Sequence, residues 1–337
     1  MYNIAITSSL SQLTVILFMT LCSVFFTPAY ANELTEDIIN SFFSPLPLSM
    51  PNSKQDTQAQ IILGKKLYFD RKMSVNNTQS CNSCHNLSTN HSGVDHLKVS
   101  IGATGKVGIR NAPTTWNAGL QIAQFWDGRA KTLEEQAKLP LFNPVEMAMP
   151  SEGALIDKLS SSEYLLFFQQ AFPNEPSPIN LNNIAKALAA FQRTLISKDR
   201  FDKYLTGDKT ALSTNEKKGL AVFISKGCVA CHNGPLLGGQ LFMKMGIVHP
   251  YPNKNDKGVA QITHDPADNY FFKVPSLRNV LNTAPYFHDG AAPTVEQAIF
   301  DTGWHQLGIK LSKQDIIAIK TFFASLNHQP QQSQNNN

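Results

Sequence analysis

The feature that most restricts how this chain can fold is a short motif that occurs twice. SCNSCHN, Ser80 to Asn86, and GCVACHN, Gly227 to Asn233, each set two cysteines three apart and follow the second with a histidine. From Cys81 to Cys228 the offset is 147 residues. Two CxxC pairs that share a zinc ion are usually only about 15–20 residues apart. A thioredoxin-type CxxC sits in a βαβ context, whereas these flanks read as helix and loop. The third reading is covalent haem attachment. Two thiols with two residues between them reach the two vinyl groups of one porphyrin, and the next histidine turns its imidazole to the iron. Cys81, Cys84 and His85 are therefore expected to hold one haem c, and Cys228, Cys231 and His232 a second. The offset is too long for a multihaem wire within one domain, so the expected architecture is mainly α, in two cytochrome c-type domains.

The fifth cysteine, Cys22, lies in the apolar run Leu13 to Phe26, which is too short to span a bilayer comfortably. Ala29-Tyr30-Ala31 follows with small residues where a signal peptidase reads. Residues 1–31 are read as a cleaved signal peptide and the mature protein as periplasmic, although the segment before the run has no Lys or Arg. The rival reading is an uncleaved anchor. Leu21 before Cys22 argues against a lipid anchor, and no later segment is long and apolar enough to cross a membrane. No cysteine outside the two motifs then remains for a disulfide. A formal charge of +4, from 29 basic and 25 acidic residues, is too weak and scattered for nucleic-acid binding.

The expected domains are 32–197 and 198–326, parted near Ser197 where apolar periodicity lapses, with a disordered Gln/Asn-rich tail over 327–337. Residues 32–57 read as an extended arm, and Gln58 to Phe69 as a helix feeding the first motif. Asn86 to Thr115 reads as a long loop. A helix is expected from Ser151 to about Phe172, and Ile184, Leu188, Phe191 and Leu195 fall on one helical face. Ser213-x-x-Glu216, Thr294-x-x-Gln297 and Ser312-x-x-Asp315 are capping signatures for three further helices. Asn233 to Tyr270 reads as a second long loop.

From about Gly64 to Leu326, in order, stand GKKLYFD, SCNSCHNLS, RNAPTTWNAG, QFWDGRAKTLEEQA, NPVEM, FDKYLTGD, EKKGLAVFISKGCVACHNG, VPSLRNV, TAPYFHDGA and QLGIKLS. This series resembles the bacterial dihaem cytochrome c peroxidases and the related MauG-type dihaem enzymes. The resemblance implies an N-terminal peroxidatic haem and a C-terminal electron-transfer haem. It implies hydrogen peroxide as substrate, a small cytochrome c or copper protein as electron donor, and often a homodimer. It further implies that Glu146 is the active-site acid, Gln136 a distal-pocket glutamine beside it, and Trp126 the tryptophan between the haems. Asn111, Thr283 and Pro285 match positions that help hold a calcium ion. On residue type alone, Glu146 would be a surface residue and Trp126 core packing.

Two positions depart from the family pattern. A histidine that closes the resting peroxidatic iron in many members falls on Ala103, which has no donor atom; His91 and His96 lie nearby. The first haem is therefore expected to rest open, as in the MauG branch. The distal methionine of the second haem falls on Thr302. His305, three residues on, is the candidate sixth ligand, with Met243 and Met245 as fallbacks. Three functions compete: a peroxidase, a MauG-type oxidase that modifies a partner protein, and a non-catalytic dihaem electron carrier or redox sensor. Glu146 and Gln136 weigh against the last, because a carrier needs no acid over an open haem.

Overall fold

The computed structural model describes residues 35–88 and 92–328. The expected signal peptide with Cys22, and His91, lie outside them; of the expected tail only Asn327 and His328 are described. In chain order the helices are α1 (Glu36–Phe42), α2 (Gln58–Phe69), α3 (Cys81–Cys84), α4 (Leu133–Phe142), α5 (Glu152–Leu159) and α6 (Ser162–Ala171). They continue with α7 (Leu181–Gln192), α8 (Arg200–Leu205), α9 (Thr214–Ser225), α10 (Ala260–Thr263), α11 (Val295–Leu307) and α12 (Lys313–Phe323). Two short strands, β1 (Phe242–Lys244) and β2 (Phe271–Lys273), pair antiparallel.

Helix α2 has the expected bounds because Thr57 and Gln60 cap it reciprocally. Gln60 N–H donates to Thr57 Oγ1 at 3.2 Å, and Thr57 N–H donates to Gln60 Oε1 at 3.0 Å. Ser213 with Glu216 and Ser312 with Asp315 do the same for α9 and α12. Three expectations need correction. The arm over 32–57 contains α1, which buries Ile39. The helix expected from Ser151 to Phe172 is two, α5 and α6, because Ser161 accepts from the Tyr164 N–H and starts a new helix. The loop Asn233 to Tyr270 contains β1 and α10.

Two close helix crossings organise the core. Helix α2 meets α7 at Gly64, where a Cβ would lie 1.8 Å from the Ala187 carbonyl oxygen and 2.9 Å from Phe191 Cβ. Helix α9 meets α12 at Gly219, where a Cβ would lie 2.1 Å from the Ala318 carbonyl oxygen and 3.0 Å from Phe322 Cβ. Both crossings thus use glycine against an Ala-x-x-x-Phe ridge. Four residues beyond each glycine stands a fully buried aromatic, Tyr68 and Phe223.

The likeness extends further. Asn117 and Asn279 have φ of 60° and 61°, Phe125 and Phe287 65° and 72°, Gly128 and Gly290 71° and 61°. Members of each pair are 162 positions apart, as are the bridges Gln124–Ala130 and Tyr286–Ala292. Thr132 and Thr294, again 162 apart, cap α4 and α11. The motifs are only 147 apart, so the second half carries extra chain between its motif and this shared run; β1 and α10 lie in that stretch. From Glu36 onward the chain forms one compact unit. Near the expected boundary Ser197 is buried, and it exchanges two hydrogen bonds with the Asn117 side chain, of 2.7 and 2.9 Å.

Candidate functional site

Two cavities lie beside the two cysteine motifs. The first, of about 470 Å³, is lined by Cys81, Cys84, His85, Trp126, Gln136 and Glu146 among others. Ser80 and Ser83 cap α3 reciprocally, which puts both thiols on a single turn. His85 follows as its C-cap, its N–H donating to the Cys81 carbonyl at 2.9 Å. The Tyr68 hydroxyl donates to the His85 carbonyl at 2.7 Å and pins the motif to α2.

His85 Nδ1 lies 2.9 Å from the Pro113 carbonyl oxygen, which only accepts, so Nδ1 carries the proton and donates. Burial lowers the His85 pKa, and the neutral ring leaves the Nε2 lone pair for a metal. Burial, with Cys84 beside it, pushes the Cys81 thiol up to about 12; Cys84 is pushed up to about 11, also chiefly by burial. These are not the low-pKa thiolates of a disulfide-exchange site. A neutral, oriented imidazole and two protonated thiols on a largely apolar cavity fit a covalently held haem.

Glu146 reaches this cavity from the turn after α4. It is half-buried, and Asn143 Nδ2 donates to its Oε1 at 2.6 Å. Burial raises its pKa, opposed by the Asn143 hydrogen bond and the charge of Arg129. Ala103 N–H donates to the Glu146 carbonyl at 2.7 Å, and Gly102 packs so closely that a Cβ would lie 2.3 Å from the Val145 carbonyl oxygen. The loop of Ala103 thus braces the acid's backbone, and of the two residues Gly102 lines the cavity while Ala103 does not. His96 is exposed and engaged elsewhere: its Nδ1 donates to the Ala284 carbonyl at 3.0 Å, and its Nε2 lies 3.3 Å from Ser92 Oγ.

The second cavity, of about 230 Å³, is lined by Cys228, Cys231, His232, Met243, Met245 and Thr302 among others. His232 Nδ1 donates to the Leu237 carbonyl at 2.8 Å, and burial lowers the pKa of the ring. Burial also pushes Cys228 up to about 11. The fit to a haem is the same as in the first half. His305 is not among the lining residues. Its Nδ1 donates to the His249 carbonyl at 2.8 Å and its ring meets Tyr251 edge-on at 5.4 Å. On either side of His305 in α11, Thr302, Gly303, Gln306 and Leu307 line the cavity, as do Met243 and Met245.

Trp126 and Asn111 line both cavities. Trp126 Nε1 donates to the Asn111 carbonyl at 3.0 Å, and Asn111 N–H donates to the His288 carbonyl at 2.7 Å. Thr283 and Pro285, expected with Asn111 to hold calcium, line the second cavity as Asn111 does. The Asn111 amide nitrogen donates to the Leu97 carbonyl at 2.9 Å.

Sequence reasoning gave Tyr68 and Lys273 no role, and of His288, in YFHDG, the family resemblance led to an expectation of structural hydrogen bonding only. Tyr68 anchors the first motif, and Lys273 and His288 line the second cavity, His288 with its Nε2 unpartnered and its ring stacked on Phe272 at 4.0 Å. The constant offset of 162 pairs His288 with Trp126.

The family model for di-haem cytochrome c peroxidase matches residues 58–210. A Nitrosomonas europaea protein named cytochrome c551 peroxidase is 44% identical over 266 residues, 78% of each chain. A Pseudomonas aeruginosa protein of the same name is 40% identical over 312 residues, 90% of this chain and 89% of its own. The crystal structure of a MauG-like protein associated with microbial copper homeostasis superposes with a TM-score of 0.74 at 30% identity, over 83% of this chain and 93% of that one.

Proposed function

The chain belongs to the di-haem cytochrome c peroxidase family, and from that premise we propose that it reduces hydrogen peroxide to water with electrons from a small cytochrome c or copper protein. The observation that carries the reading is the placement of Glu146 and Gln136 on the same cavity as Cys81, Cys84 and His85. One haem c would be held by Cys81, Cys84 and His85 in a domain over 32–197, and another by Cys228, Cys231 and His232 in a domain over 198–326. Bound there, the haems would supply redox-active iron, with peroxide chemistry at the first cavity and electron transfer at the second.

The chain's own residues supply the rest. Splitting the O–O bond needs two electrons and two protons per peroxide, and a proton must pass from the near oxygen to the leaving one. Glu146 is that shuttle. Burial raises its pKa toward neutrality, so it can both accept and release a proton, while Asn143 fixes its orientation. Gln136 holds peroxide or water by hydrogen bonds. Trp126 fills the gap between the cavities, held by its bond to Asn111. Asn111, Thr283 and Pro285 would bind calcium at that seam. With His305 outside the lining of the second cavity, Met243 and Met245, which line it, become the side chains of choice for the second iron.

The test is sustained peroxide consumption by the as-isolated ferric protein with a reduced small cytochrome c. Turnover with a high-spin haem signal supports the peroxidase. A long-lived oxidised species with little turnover points instead to a MauG-type oxidase, which the donor-free side chain of Ala103 also favours. Two low-spin, six-coordinate haems and no reaction would leave an electron carrier. Mass spectrometry of periplasmic extracts tests export, with Ala31 as the expected last residue removed.

A further inference from the structure

We propose that Lys273 is the counter-ion of a propionate carboxylate of the second haem, and that its charge holds the reduction potential of that haem above what its ligands alone would give. The proposal rests on the family reading, since it requires a haem in the second cavity. Lys273 ends β2 and is 7% exposed. Among the described residues it is the only lysine or arginine that lines the second cavity. Its ammonium group bonds to Gln121 Oε1, a neutral amide that lines the same cavity. Burial pushes the amine down to about 8, with no carboxylate acting on it.

Among the described residues, the other two buried cations, Arg278 and Arg193, are matched, as is the largely buried Arg110. Arg278 pairs with Asp199 at 2.7 Å, Arg193 with Asp56 at 2.6 Å, and Arg110 with Asp256 at 2.6 Å. A buried ammonium without a carboxylate is costly to keep. A haem brings two carboxylates into such a cavity, and one of them completes Lys273. The backbone places the charge beside the route between the cavities, because Lys273 N–H donates to the Trp126 carbonyl at 2.8 Å. At the repeat-related position 162 residues earlier stands Asn111, which is neutral, so the device belongs to one half alone. A reduced haem carries one positive charge fewer than an oxidised one, and a neighbouring cation therefore favours reduction.

The experiment uses the holoprotein. Haem content is first measured by mass, and then the midpoint potential of each haem by spectroelectrochemistry. Lys273→Met is expected to lower the potential of the second haem and leave the first unmoved, with two haems still attached. Lys273→Gln, which keeps a hydrogen-bond donor without the charge, is expected to do the same, and Lys273→Arg to restore most of the shift. An unchanged second potential in Lys273→Met, or an equal fall in both haems, overturns the proposal while the family reading stands. A wild-type protein with fewer than two covalent haems overturns both.

Discussion

Helices α4 and α11 leave equivalent Asp-Gly turns under equivalent threonine caps, yet α4 stops at Phe142 and α11 runs on to Leu307. The position that separates them is Pro140, which the offset of 162 matches to Thr302. Proline has no N–H to give the carbonyl of Gln136, and it ends the helix within two residues. The chain then folds back, with the Met147 N–H donating to the Pro140 carbonyl at 3.2 Å and the Met149 N–H to that of Leu141 at 2.8 Å. That reversal delivers Glu146 to the first cavity. In the second half the helix continues, and Thr302, Gly303 and Gln306 form a wall where the first half has an acid. One scaffold thus yields a cavity of about 470 Å³ lined by a carboxylic acid and one of about 230 Å³ without one. A similar exchange occurs under the motifs, where Tyr68 in the first half bonds to the His85 carbonyl and Phe223 in the second only packs.

The largest effect should come from removing what only the first half has. Glu146→Gln is expected to slow the peroxide step by about 10²–10⁴-fold, the usual range for a lost general acid–base group. Both haems should remain attached. The wild-type rate should fall on acidification through a carboxyl pKa that lies above the usual range, because burial raises it and the shuttle must start ionised. That acid limb should vanish in Glu146→Gln. A variant with wild-type rates would place the proton carrier elsewhere and erase the contrast between the cavities. Ala103→His tests the contrast from the other side. It supplies a donor to a loop already bonded to the Glu146 backbone, so the first site should become as closed as the second. The ferric spectrum should turn low-spin and the reaction with peroxide should be lost until the protein is reduced. A variant that still reacts as isolated would show that this loop does not reach the iron.

How much of this could be read in advance follows from how local each signal is. The two motifs, the α2 bounds and the α9 and α12 caps were legible because each is set by residues within one turn. The split between α5 and α6 was not, since Ser160 and Ser161 interrupt an apolar pattern that alone reads as continuous. Glu146, Gln136 and Trp126 come together from separate segments, and only the family resemblance placed them. His305 shows what helical spacing leaves open, for it gives the face of a residue but not what lies opposite: the ring meets Tyr251 and is not among the residues lining the second cavity. Lys273 gave no local signal, for its meaning depends on the absence of a carboxylate in a cavity built from distant segments.

The glycine crossings sharpen the comparison at the level of packing. Gly64→Ala and Gly219→Ala each put a methyl group within about 2 Å of a backbone carbonyl, at Ala187 and Ala318. Overpacking of this kind typically costs about 1–3 kcal/mol. Thermal denaturation should show similar losses for the two variants. A loss confined to one would mean that the crossings are alike in sequence and unlike in rigidity.

The smallest effects are expected at the paired caps. Thr132 Oγ1 accepts from the Glu135 N–H at 3.1 Å, and Thr294 Oγ1 from the Gln297 N–H at 3.2 Å. Replacing either by alanine should cost about 1 kcal/mol, because one helix N–H loses its acceptor and water replaces it at these exposed ends. If the halves unfold together, Thr132→Ala and Thr294→Ala should lower one common melting temperature by similar amounts, on the order of 2–4 °C. If they are separate domains, calorimetry should resolve two transitions and each variant should move only its own. Ser197, buried and doubly bonded to Asn117, ties the expected boundary into the first half's packing. A single shared transition would therefore mean that two sites of different chemistry share one cooperative frame.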